Sequence, residues 1–183
     1  MAEPIKGIKV QNATLQTFQS LDGSNFTTGG VNFGFDGLKG VSVYAGVGTN
    51  FRENTTGAVI DLKAYDKYAE IPLSNGQNIT ISAGGRLRNN INPASQTFQL
   101  RFEPLKTKIP LNDNVSVYFS PYILTKSDYK NITAENLKNN FRGGAFGGVT
   151  IKLGNLEISP EYQTYDFTNP NNASGNLIIS YNF

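Results

Sequence analysis

Along much of this chain every second residue is apolar. Val31, Phe33 and Phe35 share one parity, as do Val41, Val43, Ala45 and Val47; Ile79, Ile81 and Ala83; Phe98, Leu100 and Phe102; Val115, Val117 and Phe119; Val149, Ile151 and Leu153; and Leu156 and Ile158. A period of two puts such residues on one face of a β-strand. The opposite parity is Gly, Ser, Thr, Asn, Gln, Tyr and a few charges. Cut at the turn signals, the pattern predicts ten strands near 6–18, 26–36, 41–52, 57–69, 77–88, 96–107, 115–126, 141–153, 156–167 and 175–183. Each is long enough for the ~9 to 11 residues of a tilted membrane strand.

The connections alternate in character. Asp36-Gly-Leu-Lys-Gly40, Ser74-Asn-Gly-Gln77, Leu111-Asn-Asp-Asn114 and Leu153-Gly-Asn155 are compact turns of the kind that Gly and Asn support. Between them come Arg52 to Thr56, Asn89 to Ser95, Ser127 to Asn140 and Thr168 to Gly175, longer on average. In the longest, Thr133 to Lys138 is expected to form a single helical turn.

Two strands and three prolines resist strict alternation. Ile8 and Val10 are out of phase with Ala13 and Leu15, which calls for a bulge near Gln11-Asn12. Ile60, Leu62 and Ala64 run into Asp66, so the fourth strand ends there or its parity slips. Pro104, Pro121 and Pro160 lie on the apolar side of their strands without an amide donor, and bulges or strand ends must accommodate them.

Composition narrows the chemistry. The 183 residues contain no Cys, His or Trp, which excludes disulfides, His- or thiolate-bound metal and Ser-His-Asp or Cys-His catalysis. Neither a metal nor a cofactor is expected. Charged residues make up 16%, below the ~25% of ordinary soluble domains. A net charge of +2 without a dense basic tract gives no reason to expect a nucleic-acid partner. No apolar run reaches the ~20 residues of a helical span. Met1-Ala-Glu-Pro-Ile-Lys-Gly contains no signal-peptide pattern, so a mature form with a start Met ahead of Ala2 is expected.

The last strand adds a motif. Leu177, Ile179, Tyr181 and Phe183 lie on one side, Ile178, Ser180 and Asn182 on the other, and the chain stops on the aromatic. This ending resembles the C-terminal assembly signal of bacterial outer-membrane β-barrels. The resemblance implies an even-stranded antiparallel up-and-down barrel read by the outer-membrane assembly machinery. Tight turns then lie at the periplasmic rim with both termini, and longer loops at the other. The expectation is one transmembrane β-barrel domain over residues 1–183, of about ten strands with eight or twelve as alternatives, monomeric and surrounded by outer-membrane lipid.

Alternation alone leaves open a soluble lipocalin-like barrel, whose apolar face points inward. The polar face decides for the membrane form. It reads Thr28, Gly30, Asn32 and Gly34; Ser42, Tyr44, Gly46 and Gly48; Thr80, Ser82 and Gly84; Ser116, Tyr118, Ser120 and Tyr122. Small neutral groups suit a confined lumen better than a solvated exterior, which is usually dense in Lys and Glu. Phe26, Phe51, Tyr68, Phe141, Phe167, Tyr181 and Phe183 fall near strand ends, where aromatic girdles meet lipid headgroups.

With apolar faces outward, Lys9, Asp36, Arg52, Asp61, Lys63, Arg86, Arg88, Arg101, Glu103, Arg142, Lys152, Glu157 and Glu161 point inward. The candidate pore-lining residues are Arg86, Arg88, Arg101 and Arg142 facing Glu103, Glu157 and Glu161, with Tyr118 and Tyr122 as walls. They predict a narrow channel for passive diffusion of ions or small polar solutes across a transverse field. The alternative is a lumen closed by ion pairs, in a structural barrel or an adhesin acting through its long loops. Inward glycines favour open space. Enzymatic outer-membrane barrels characteristically use a rim His, so the chain is expected not to be an enzyme. Arg142-Gly-Gly-Ala-Phe-Gly-Gly148 lacks the Lys-Ser/Thr ending of a phosphate loop and reads as strand.

Overall fold

The computed structural model describes residues 7–20, 25–50, 55–91, 96–128, 133–169 and 172–183. Ten strands are present among them: β1 (Ile8–Ser20), β2 (Asn25–Phe35), β3 (Val41–Asn50), β4 (Thr55–Pro72), β5 (Asn78–Ile91), β6 (Gln96–Pro110), β7 (Val115–Asp128), β8 (Arg142–Leu153), β9 (Leu156–Thr164) and β10 (Ala173–Asn182). One short helix, α1 (Ala134–Asn139), lies between β7 and β8, on the segment expected to make a helical turn. Each strand pairs antiparallel with its sequence neighbour, and β1 pairs with β10, so the sheet closes into an up-and-down barrel. Closure leaves no sheet edge, which a strand structure in lipid requires because hydrocarbon offers no hydrogen-bond partners.

The two faces differ as alternation predicts. Among the described residues twenty-four large apolar or aromatic side chains are exposed, among them Val47 (66%), Leu100, Phe102, Phe119 and Leu153, whereas only seven hydrophobic residues are buried. In water this exterior would forgo about 1.5–3 kcal/mol for each large side chain left unburied. Immersed in hydrocarbon it costs nothing of the kind. The interior is the polar side, with Thr28, Asn32, Asp61, Glu103, Ser116 and Ser120 buried. This is the reverse of a lipocalin-like barrel.

Register irregularities fall where the sequence strains. β1 bulges between Val10 and Asn12, as the phase change of its apolar residues requires. β4 continues past Asp66 and slips parity between Lys67 and Ala69. Pro104 lies in an irregular stretch where β6 pairing with β7 jumps from Phe102 to Thr107, and Pro121 faces that same stretch. Pro160 needs neither bulge nor strand end: β8–β9 pairing simply omits rungs between Gly148–Glu161 and Ile151–Ile158.

The compact turns share one rim with the chain end, where the Asn182 N–H donates to the Asn155 carbonyl (2.9 Å). Gly40 shows why the first turn needs glycine. Its φ is 77°, and its carbonyl accepts the Tyr65 N–H at 2.9 Å, an approach that leaves no room for a Cβ. In the third turn the Asn112 side chain accepts the N–H groups of Asn114 (2.9 Å) and Val115 (2.8 Å).

Candidate functional site

The barrel encloses a cavity of about 1070 Å³. Its lining runs from Gln11, Ser42, Glu157 and Ser180 near the turn rim to Asn50, Thr97, Lys126 and Asn172 near the loop rim. Seven cationic side chains border it (Lys63, Arg86, Arg88, Arg101, Lys106, Lys126 and Arg142), against three carboxylates (Asp61, Glu157 and Glu161).

Sheet register builds the charged wall. Lys63 of β4 stands opposite Arg86 of β5, which stands opposite Arg101 of β6. Like charges directly opposite repel, and two buried carboxylates answer part of that repulsion. Asp61 takes Arg86 through both guanidinium Nε (3.2 Å) and Nη2, and also takes Arg88 (3.2 Å). Glu103 pairs with Arg101 (2.7 Å) and accepts hydrogen bonds from the Tyr65 hydroxyl (2.7 Å) and Ser120 Oγ (3.3 Å).

An aromatic cluster stands across from this wall. Tyr122, Leu124 and Phe146 form a small core inside the lumen, with Tyr118 and Tyr165 packed against it. The Arg101 guanidinium lies over the rings of Tyr122 (4.9 Å) and Phe146 (4.7 Å), and the Lys106 ammonium over Tyr65 (4.7 Å) and Phe146 (5.9 Å). Cations held over ring faces in this way gain from the aromatic quadrupole. Tyr122 is fixed by donating to the Thr164 carbonyl (2.7 Å) and accepting from Gln163 Nε2 (2.8 Å). Tyr118 donates to Glu161 (3.2 Å), which also accepts Asn176 Nδ2 (2.8 Å).

Glycine decides how these rings lie. Tyr65 stands opposite Gly84, Tyr122 opposite Gly144 and Tyr118 opposite Gly148, and a Cβ on any of the three would strike the tyrosine ring or hydroxyl. The inward glycines do not simply leave empty space, as expected from the sequence. They let tyrosines lie flat along the wall instead of projecting to the axis.

The structure brings together Arg86, Arg88, Arg101, Glu103, Tyr118, Tyr122 and Glu161, with Glu157 nearer the turn rim beside Lys152 (3.5 Å), but Glu103, Tyr118 and Tyr122 are not among the residues that border the cavity. Five residues need correction. Glu103 does not face the arginines from the opposite side; it sits among them, one pleat from Arg101 on the same strand. Arg142 is not part of the arginine wall. It lies at the loop rim, its Nη1 bonded to the carbonyls of Asn139 (3.0 Å) and Phe141 (2.9 Å), with Asp166 at 3.5 Å from its Nε. Lys9 and Asp36 pair with each other at the exposed turn rim (2.9 Å) rather than inside. Phe26 lines the cavity instead of joining a girdle, whereas Tyr68, Phe141, Phe167, Tyr181 and Phe183 are exposed on the barrel. Arg52 and Phe51 lie outside the described residues.

Lys106 and Lys126 border the cavity without having been expected there, and Lys106 is the one that alternation hides. Strict alternation from Arg101 puts it on the lipid side, and the irregular stretch at Pro104 turns it inward. The proline was the available signal.

At the loop rim, Asp166 accepts Thr168 Oγ1 (2.6 Å) and the Thr168 N–H (2.8 Å), and these bonds, with Arg142 nearby, hold its pKa below the ordinary carboxylate value.

No protein-family model matches the chain, and no curated protein is similar to it in sequence. Solved structures share its fold. The outer-membrane enzyme PagL is similar over 94% of this chain and 99% of its own, at 9% identity and a TM-score of 0.46. The translocator domain of the autotransporter NalP from Neisseria meningitidis is similar over 100% and 90%, at 13% identity and 0.46. The β-domain of the Bordetella autotransporter BrkA is similar over 97% and 99%, at 13% identity and 0.42. The strand pairing by itself makes the chain a closed antiparallel barrel, and its exposed apolar face is that of an outer-membrane β-barrel. One expectation is corrected by these likenesses. A barrel described as an enzyme stands among the structures similar to this chain, and the expectation that the chain is not an enzyme is withdrawn.

Proposed function

We propose that the chain spans the bacterial outer membrane as a narrow passive channel that prefers small anions. The observation that carries this reading is the cavity bordered by polar side chains from both rims. Spread over the ~30 Å of a hydrocarbon core, its volume corresponds to a passage of about 35 Å² in cross-section, room for ions and solutes the size of an amino acid. The excess of cations over carboxylates along that passage lowers the electrostatic barrier for anions and raises it for cations.

The lumen charges do not close the barrel by pairing. Asp61 and Glu103 are withdrawn into the β4–β7 wall beside their arginines, and tyrosines lie flat on glycines, so the axis is left to water. Glu157 and Glu161, on β9, give the passage a weaker negative side. Reconstitution into planar bilayers tests the proposal: discrete conductance steps are expected, with a reversal potential shifted toward that of chloride in a KCl gradient. Bilayers that stay silent with demonstrably folded protein would remove the channel.

A further inference from the structure

We infer that Lys63, Arg101 and Lys106 form a binding site for a small oxyanion, a solute bearing a carboxylate or a phosphate, on the charged wall of the lumen. Its role in selecting what crosses rests on the channel reading; the binding itself does not.

The sheet sets cations beside cations at a cost. Lys63, Arg86 and Arg101 occupy directly opposed positions on three adjacent strands, an arrangement that repels and that nothing in barrel closure demands. The two carboxylates of this wall are already committed to its arginines. Asp61 divides itself between Arg86 and Arg88, and Glu103 is taken by Arg101, Tyr65 and Ser120. Among the described residues no carboxylate lies within 4.0 Å of the Lys63 or Lys106 ammonium, although both border the cavity.

Arg101 adds a third unmet donor. Its side chain is only 7% exposed, and its buried Nε has no hydrogen-bond partner. A buried donor left unmade costs about 1–3 kcal/mol, and stacking on Tyr122 and Phe146 holds the guanidinium in place without supplying an acceptor. Two ammonium groups and one guanidinium N–H bordering one cavity call for a ligand with several acceptor oxygens on a single negative centre. Carboxylate and phosphate have them. Chloride offers a single, weaker acceptor atom in their place.

The test uses the full chain in planar bilayers bathed in KCl, with inorganic phosphate and acetate added in separate arms. Either anion should reduce the chloride current in a saturable way, and which one acts tells phosphate from carboxylate. The double variant Lys63→Gln/Lys106→Gln removes two repelling charges and leaves the Asp61 and Glu103 pairs intact. It should conduct chloride while the half-blocking concentration rises roughly tenfold or more, about 1.4 kcal/mol of lost binding. Lys39→Gln, on an exposed turn outside the cavity, should leave the block unchanged. A conducting wild type that neither anion blocks would overturn the site and spare the channel. If no current flows, the channel reading fails, and titration calorimetry of phosphate and acetate into detergent-solubilised protein decides the site: heat lost in the double variant upholds it, and no heat in the wild type overturns it.

Discussion

Two walls of one lumen satisfy their polar groups in different ways. On the β10–β1–β2 side the inward residues are neutral and close on themselves. Asn32 Nδ2 donates to Asn12 Oδ1 (2.6 Å) and Thr14 Oγ1 (3.0 Å), Thr14 donates to Asn12 (3.0 Å), and Thr14 and Ser180 share a hydrogen bond (3.1 Å). On the β4–β6 side three cations stand in one row, two carboxylates hold its arginines, and two lysines and an arginine N–H remain over. The neutral wall holds no charge to answer, although Thr28 Oγ1 and Asn176 Oδ1 are buried on it without a hydrogen-bond partner. The charged wall is complete only with solute, which is why function is placed there.

The sharpest way to break this contrast is to remove the carboxylate that holds the charged wall together. Asp61→Asn leaves Arg86 and Arg88 facing each other with no counter-charge, and about 3 kcal/mol of stability should be lost, the range found when one partner of a buried pair is deleted. Urea unfolding in lipid vesicles measures it. A second change, Arg88→Gln, should recover part of the loss; no recovery would mean that Asp61 acts through packing.

Next comes a comparison of outside with inside. Leu62→Arg sets a charge against lipid and should cost about 2–4 kcal/mol in the same titration. Thr14→Arg, on the neutral lumen wall, should cost far less and increase anion preference. Equal costs would mean that the faces are not those of a membrane barrel.

A smaller effect is expected where ring meets glycine. Gly144→Ala would press on both the Thr164 carbonyl and the Tyr122 ring. An overpacking loss of about 1–3 kcal/mol should accompany lower conductance as Tyr122 is pushed off the wall. Unchanged conductance would show that the tyrosines do not border the path.

The smallest effect concerns the loop rim. The Asp166 pKa is depressed by its bonds from Thr168, so its contribution is present above the ordinary carboxylate value of about 4 and is lost as pH falls through the depressed value. A spin label on the 165–169 segment should gain mobility only at strongly acidic pH. Asp166→Asn should remove that pH dependence.

Much of the barrel could be read from residue order. Strand number, the alternation of tight and long connections, the bulge before Asn12 and the slip after Asp66 all follow from the phase of apolar residues, because a strand has a side-chain period of two and any departure from it must be absorbed by an extra residue. Arg86, Arg88, Arg101 and Glu161 were legible as inward for the same reason. Lys106 was not, since its side depends on how far the irregularity at Pro104 carries the parity. Nor was the place of Arg142, at the very start of β8, where the chain leaves the lumen for the rim.

Sequence order alone therefore determined which side chains meet lipid and which do not, because that property is local and repeats every second residue. Which inward charges meet each other was decided by the closed sheet, because strand register sets a lysine of β4 across from an arginine of β5, and that arginine across from one of β6. The flattening of the tyrosines was decided there too, since a ring on one strand lies down only where its cross-strand partner has no side chain.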